Sequence, residues 1–261
     1  MDMTINMKQI LYALASLIFI ACMFNNATAL EKDHYDYKAI SNIIKTVKTG
    51  NKNKIATLFR YPLKRRYPVP AIKDEQEMVK RFNEIFDAYM LNAIKKSDIK
   101  DDWSQVGWRG IMLNGGDLWF NGKKIYVVNY RTALENQIDQ KIIQNQKLTL
   151  HASIKDFIRP VLEWDTKKFH LRVDKMAPTS FRYAVWKKGV STSKKPDLIL
   201  LNGIVDYEGT GGNHYYTFQN GGYSYKVDVI RMGSADSPPG RLQVYKGENR
   251  ILSEDVVRIY E

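Results

Sequence analysis

Turn dipeptides constrain this chain more than any other feature. Asn114-Gly115, Asn121-Gly122 and Asn220-Gly221 each separate short apolar stretches. Asn-Gly favours a tight hairpin because both central residues of a type I′ turn need positive φ. A chain punctuated this way after residue 110 folds as antiparallel β structure. Two-residue loops at the first two sites set Ile111 opposite Leu118 and Leu118 opposite Ile125, so one apolar row crosses a three-stranded meander. From Leu148 onward, the runs 169–173, 181–186, 198–207, 214–219, 223–230, 242–245 and 256–260 predict a mostly antiparallel barrel or sandwich.

Ahead of the meander the spacing is helical. Ile40, Ile43, Ile44 and Val47 form one apolar helix face, and Gly50 stops it. A short helix fits 53–59, before Tyr61-Pro62 breaks the chain. Asp74 and Glu77 have capping-box spacing. Behind them Met78, Phe82, Ile85, Phe86, Tyr89 and Ala93 make one stripe on a helix of about twenty residues. The polar stretch 132–147 is a linker or a helix and carries the domain boundary. The expected organisation is α+β: an N-terminal domain over 30–131 with helices on the meander, then a β-rich domain over 148–261.

The N-terminus reads as an address. Residues 10–24 are apolar apart from Ser16, too short a run for the roughly 20 residues of a bilayer crossing. Lys8 precedes it and Ala27-Thr28-Ala29 follows, which is the layout of a signal peptide over 1–29, cleaved to leave Leu30 first. Phe19-Ile20-Ala21-Cys22 offers the alternative, a lipobox that would tether the protein through Cys22. Both readings export the chain, the first to the periplasm. Cys22 is the single cysteine, which excludes a disulfide scaffold and any cysteine-ligated metal.

Over residues 36–130 the order helix, short helix, Tyr61-Pro62 break, long helix and meander resembles the cone-shaped α+β fold of the nuclear transport factor two superfamily. That resemblance implies helices on a curved antiparallel sheet, and an enzyme or a pure binding module. Where such folds are enzymes, an acidic residue inside the cone does the work with a His or Tyr. Asp87, Asp117, Tyr89 and Trp119 are the positions the resemblance would turn inward, with Asp87 or Asp117 as general base. The β-rich half resembles exported bacterial envelope proteins.

Motifs for other chemistry are missing. His34, His151, His170 and His214 lack metal-ligand spacing, no G-x-S-x-G elbow occurs, and Gly209-Thr210-Gly211-Gly212 runs into a strand rather than a helix. Accordingly no catalytic residue, metal or cofactor is expected. Lys plus Arg is 40 against 28 Asp plus Glu, a net charge of +12 that favours acidic partners. Lys64-Arg65-Arg66 is the densest positive cluster, held extended between Tyr61-Pro62 and Tyr67-Pro68. A turn at Asn220-Gly221 pairs Phe218 with Tyr223, Tyr216 with Tyr225 and His214 with Val227 on a core face. It leaves Tyr215 beside Lys226 on the polar face. Lys64, Arg65, Arg66, Tyr215 and Lys226 are therefore the candidate ligand-binding residues. The expected function is an exported, non-enzymatic envelope protein that binds an acidic envelope component or acidic protein rather than nucleic acid. A periplasmic inhibitor or immunity protein is one form of it, and a carboxylate-based enzyme is the alternative.

Overall fold

The computed structural model describes residues 35–209 and 211–260. The signal peptide over 1–29, the Cys22 lipobox, the Leu30 terminus and His34 lie outside these residues. The protein is α+β and divides into two compact units. Of the described residues, the first comprises 35–64 together with Ile72–Glu135, and the second Arg65–Ala71 with those from 136 to 260. No helix among the described residues is long and apolar enough to cross a membrane.

In the first unit, α1 (Tyr35–Lys48) buries Ile40, Ile43, Ile44 and Val47 and ends before Gly50. Next come α2 (Lys52–Ala56), α3 (Glu75–Lys80), α4 (Phe82–Ile85) and α5 (Ala88–Lys96). The single long helix expected from Asp74 onward is thus three short ones. Phe86 is extended, and the Asp87 carboxylate starts a new helix by accepting the Met90 N–H at 2.9 Å. Tyr89 consequently leaves the apolar stripe and is 62% exposed. Asp74 caps α3 through Glu77 N–H at 2.8 Å, while the Glu77 carboxylate reaches back to Lys73 N–H instead of Asp74.

The sheet has four strands in order: β1 (Trp103–Gln105), β2 (Ile111–Leu113), β3 (Leu118–Asn121) and β4 (Lys124–Val128). Register is shifted from the expected one. Leu113 faces Leu118, Ile111 faces Phe120, and Phe120 faces Ile125. The first loop is longer than two residues, because Asn114, Gly115 and Gly116 all take positive φ. The second loop turns at Gly122-Lys123 rather than Asn121-Gly122. The shift preserves the face, so Ile111, Leu113, Leu118, Phe120, Ile125 and Val128 still pack onto the helices in one buried cluster.

The second unit is a closed eight-stranded antiparallel barrel. Its strands are β5 (Arg159–Thr166), β6 (Phe169–Ala177), β7 (Ser180–Lys187), β8 (Leu198–Glu208), β9 (Asn213–Asn220), β10 (Tyr223–Val229), β11 (Gly240–Lys246) and β12 (Asn249–Ile259). Each pairs with the next, and β12 returns to β5. An eight-stranded barrel is narrow enough for side chains to fill, and Leu162, Trp164, Leu171, Val173, Tyr183, Phe218, Val227 and Leu242 belong to one buried cluster. Gly203 makes space for it: a Cβ there would sit 2.1 Å from the Phe218 ring. The β9–β10 loop is Gly221-Gly222, so Phe218 faces Tyr225 and Tyr216 faces Val227, each two residues from the expected register and on the expected face.

The polar stretch ahead of the barrel is a helix, α6 (Ala133–Thr149), and the division between units falls within it, after Glu135. In the second unit its later residues accompany a buried layer of charges on β5, β6 and β7. Arg172 donates to Asp174 (2.7 Å), Glu163 (2.7 Å) and Gln146 (2.9 Å). Arg182 donates to the other oxygen of Asp174 at 2.7 Å.

Candidate functional site

The sequence-predicted site residues fall in two places. Arg66 is 53% exposed, yet its guanidinium donates to the buried Asp139 at 3.0 Å, which also takes Arg159 at 3.2 Å. Arg65 is half-buried and Lys64 exposed. Lys64 belongs to the first unit and Arg65 and Arg66 to the second. The cluster is therefore not a set of three free cations: Arg66 anchors its segment to α6 and β5.

Tyr215 and Lys226 do come together. Lys226 Nζ lies 3.8 Å from the Tyr215 ring centroid, a close cation–π contact. The ammonium is also 3.1 Å from Asp228 and 3.5 Å from Glu208. Burial opposes its charge, but the Asp228 hydrogen bond and the neighbouring carboxylates outweigh that and raise its pKa. Lys226, Asp228 and Glu208 line an open cleft of about 280 Å³ with Asn213, His214, Arg241 and Gln243; Tyr215 is not part of its lining. Arg241 is held by Asp255 at 2.6 Å, and Asn213 is spent clamping the backbone of Arg231 and Met232. Opposite charges are matched within the cleft.

Asp87 and Asp117, the general-base candidates, are half-buried on the first unit. Besides its cap, the Asp87 carboxylate accepts Tyr130 Oη–H at 2.7 Å. Burial pushes its pKa up, but these hydrogen bonds more than offset it and leave the carboxyl below its ordinary value. Tyr130 is correspondingly pushed up to about 12, chiefly by that bond, and its ring stacks on Tyr89 at 5.5 Å. Asp117 holds the chain after β4: its carbonyl accepts Asn129 N–H and Tyr130 N–H. Trp119 does not turn inward, since Leu118 and Phe120 on either side of it occupy the buried face.

The outward face of the four-stranded sheet holds an arrangement the sequence reading missed. The segment 58–60 lies along β4, with Ile125 N–H donating to Leu58 and Arg60 N–H to Ile125, and this places Arg60 beside Tyr126. The Arg60 guanidinium carbon is 5.2 Å from the Tyr126 ring centroid. Tyr126 Oη–H donates to the Arg109 carbonyl at 2.7 Å, and the Arg109 guanidinium in turn lies 5.7 Å from the Trp119 ring. Cation and ring thus alternate as Arg60, Tyr126, Arg109, Trp119. Among the described residues, neither guanidinium has a carboxylate partner. Next to Arg109, Trp108 is 61% exposed on a 3-10 turn, Gly107–Arg109.

That turn is tightly fixed. Val106 N–H donates to Gly110 O at 2.7 Å, Gly110 N–H to Gly107 O at 3.2 Å, and Asn121 Nδ2 to Trp108 O at 3.5 Å. Gly110 sits at φ +90°, and a Cβ there would lie 2.4 Å from the Phe120 carbonyl oxygen. Only glycine permits this approach to β3. The one local signal in the sequence was Trp108-Arg109 standing between Gly107 and Gly110. Arg60, Trp119 and Tyr126 arrive from elsewhere in the chain.

Comparison of the chain with protein-family models, curated proteins and solved structures gave no match.

Proposed function

We propose that this protein is an exported, non-enzymatic component of the bacterial envelope that binds an anionic macromolecule through the outward sheet face of its first unit. The observation that carries the reading is the pair of arginines, Arg60 and Arg109, stacked on aromatic rings without a carboxylate partner. A guanidinium stacked on a ring keeps its planar N–H edge available for carboxylate or phosphate oxygens. The surrounding charge of +12 adds long-range attraction for an anion. Export rests on the apolar run 10–24 and the Ala27-Thr28-Ala29 site. The likeness of residues 36–130 to the nuclear transport factor two superfamily belongs to the same proposal, in its binding-module form. The interior of that unit is filled by apolar side chains from helices and sheet, which favours a surface site over a chamber.

The test is capture of anionic polymers from an envelope extract by full-length mature protein. Arg60→Ala/Arg109→Ala should lose most of the captured material. Lys194→Ala/Lys195→Ala removes the same net charge and should lose little. Equal losses in both variants would reduce the site to a diffuse positive field and defeat the proposal.

A further inference from the structure

We infer that the ligand of this sheet face is an acidic polysaccharide, with a sugar ring laid on Trp108 and its carboxylates met by Arg60 and Arg109. The inference rests on the anion-binding reading and names the class of anion. Three observations carry it.

Trp108 is a large apolar ring left 61% exposed, and folding gains little from holding it there. Yet its turn is fixed by the hydrogen bonds of Val106, Gly110 and Asn121 and by the close packing of Gly110 on β3. A backbone turn fixed before the ligand arrives leaves only the side chain of Trp108 to be ordered at binding. The second observation is alternation. Arg60, Tyr126, Arg109 and Trp119 present charge, ring, charge, ring. Arginine and aromatic side chains serve docked proteins as well, and what favours a polymer is the repeat of charge and ring along the face. A chain whose every unit offers one flat C–H face and one carboxylate matches it. The third is charge complementarity: both guanidiniums lack a carboxylate among the described residues, so an incoming acid displaces no internal partner. A bare polyphosphate would use the arginines and leave the indole idle.

The experiment is calorimetric titration of the full mature chain with four probes: an oligogalacturonate, its methyl-esterified neutral form, inorganic polyphosphate and single-stranded DNA. The account expects the oligogalacturonate to bind and the ester to bind at least tenfold more weakly. Trp108→Ala should weaken oligogalacturonate binding about tenfold, the scale of one stacking contact, and Trp108→Phe should recover most of it. Polyphosphate should bind weakly and ignore the Trp108 substitution. If Arg60→Ala/Arg109→Ala abolishes binding while Trp108→Ala changes nothing, the anion-binding reading stands and the polysaccharide inference falls. DNA or polyphosphate binding as tightly as the uronate also overturns the inference. Uronate binding that survives loss of both arginines overturns inference and reading together. Circular dichroism of each variant confirms that the fold is retained.

Discussion

On the wall of the barrel, Lys226 is held by Asp228 and Glu208, Arg241 by Asp255, and Arg172 and Arg182 by the shared Asp174. On the sheet face of the first unit, Arg60 and Arg109 rest on Tyr126 and Trp119 with no carboxylate among the described residues. Both regions are rich in arginine and tyrosine, yet the cations do different work. In the barrel they offset buried or neighbouring acids, and their energy goes into folding. On the sheet face, in the proposed reading, their hydrogen-bonding capacity is left to a ligand from outside the chain. The difference teaches that the pairing of each cation, more than the density of positive charge, marks where an anion can bind.

The strongest way to break the comparison is to disturb a barrel arginine. Arg172 is nearly inaccessible and holds both Asp174 and Glu163. Arg172→Met should cost roughly 3–5 kcal/mol, the range for stranding a buried charge partner, read from urea unfolding. A loss below about 1 kcal/mol would mean that water already solvates these acids.

The next effect belongs to the sheet face. Replacing both Arg60 and Arg109 with alanine should weaken anion binding by about 2–4 kcal/mol, at roughly 1–2 per charge-assisted contact. The unfolding midpoint should barely move, as exposed substitutions usually stay within about 0.5 kcal/mol. Gly110→Ala should do both kinds of damage, costing roughly 1–3 kcal/mol in backbone strain and displacing Trp108 and Arg109 together. Its unfolding curve and its affinity should therefore fall together, whereas the double arginine variant separates them.

A smaller effect should follow pH in the barrel. Burial alone would lower the His170 pKa, but hydrogen bonds and charges from Glu163 and Asp165 override it and raise it. Asp165 is 2.8 Å from Nδ1 and Glu163 3.3 Å from Nε2, with Trp186 and Tyr260 packed on the ring and Arg172 on the far oxygen of Glu163. A raised folded pKa gives stability that is complete below the unfolded value near 6.5 and fades as pH rises through the folded one. Glu163 works in the opposite direction: its lowered pKa gives stability that fades only as the solution turns acidic. The urea midpoint should thus decline from about pH 6.5 upward in the wild type, and His170→Gln should flatten that decline. A wild-type curve equally flat over that interval would contradict the ion-pair reading.

Much of this architecture was legible in the sequence, because strand parity survives errors of loop length. The hairpins after Leu113 and Phe218 were each displaced by two residues, so every side chain kept its face. Strand β5 has no counterpart among the expected runs, because Glu163 and Asp165 interrupt its apolar pattern; they bond Arg172 and His170 in the buried charge layer. The long helix breaks at Arg81 and again at Asp87, where a capping carboxylate and the extended Phe86 outweigh the apolar stripe. The surroundings of the candidate site residues were hidden for a physical reason of the same kind. Lys64-Arg65-Arg66 is dense locally, but Asp139 meets Arg66 from 73 residues away. Conversely, Arg60 and Arg109 meet their rings only when β-pairing brings Tyr126 and Trp119 beside them.

The most direct measurement of the central claim is an NMR titration following arginine side-chain Nε–H signals as an oligogalacturonate is added. The account predicts that Arg60 and Arg109 shift and saturate together. Arg66, Arg172, Arg182 and Arg241 should stay in place, since each already has its carboxylate. Movement at Arg66 or Arg241, with Arg60 and Arg109 unchanged, would contradict it.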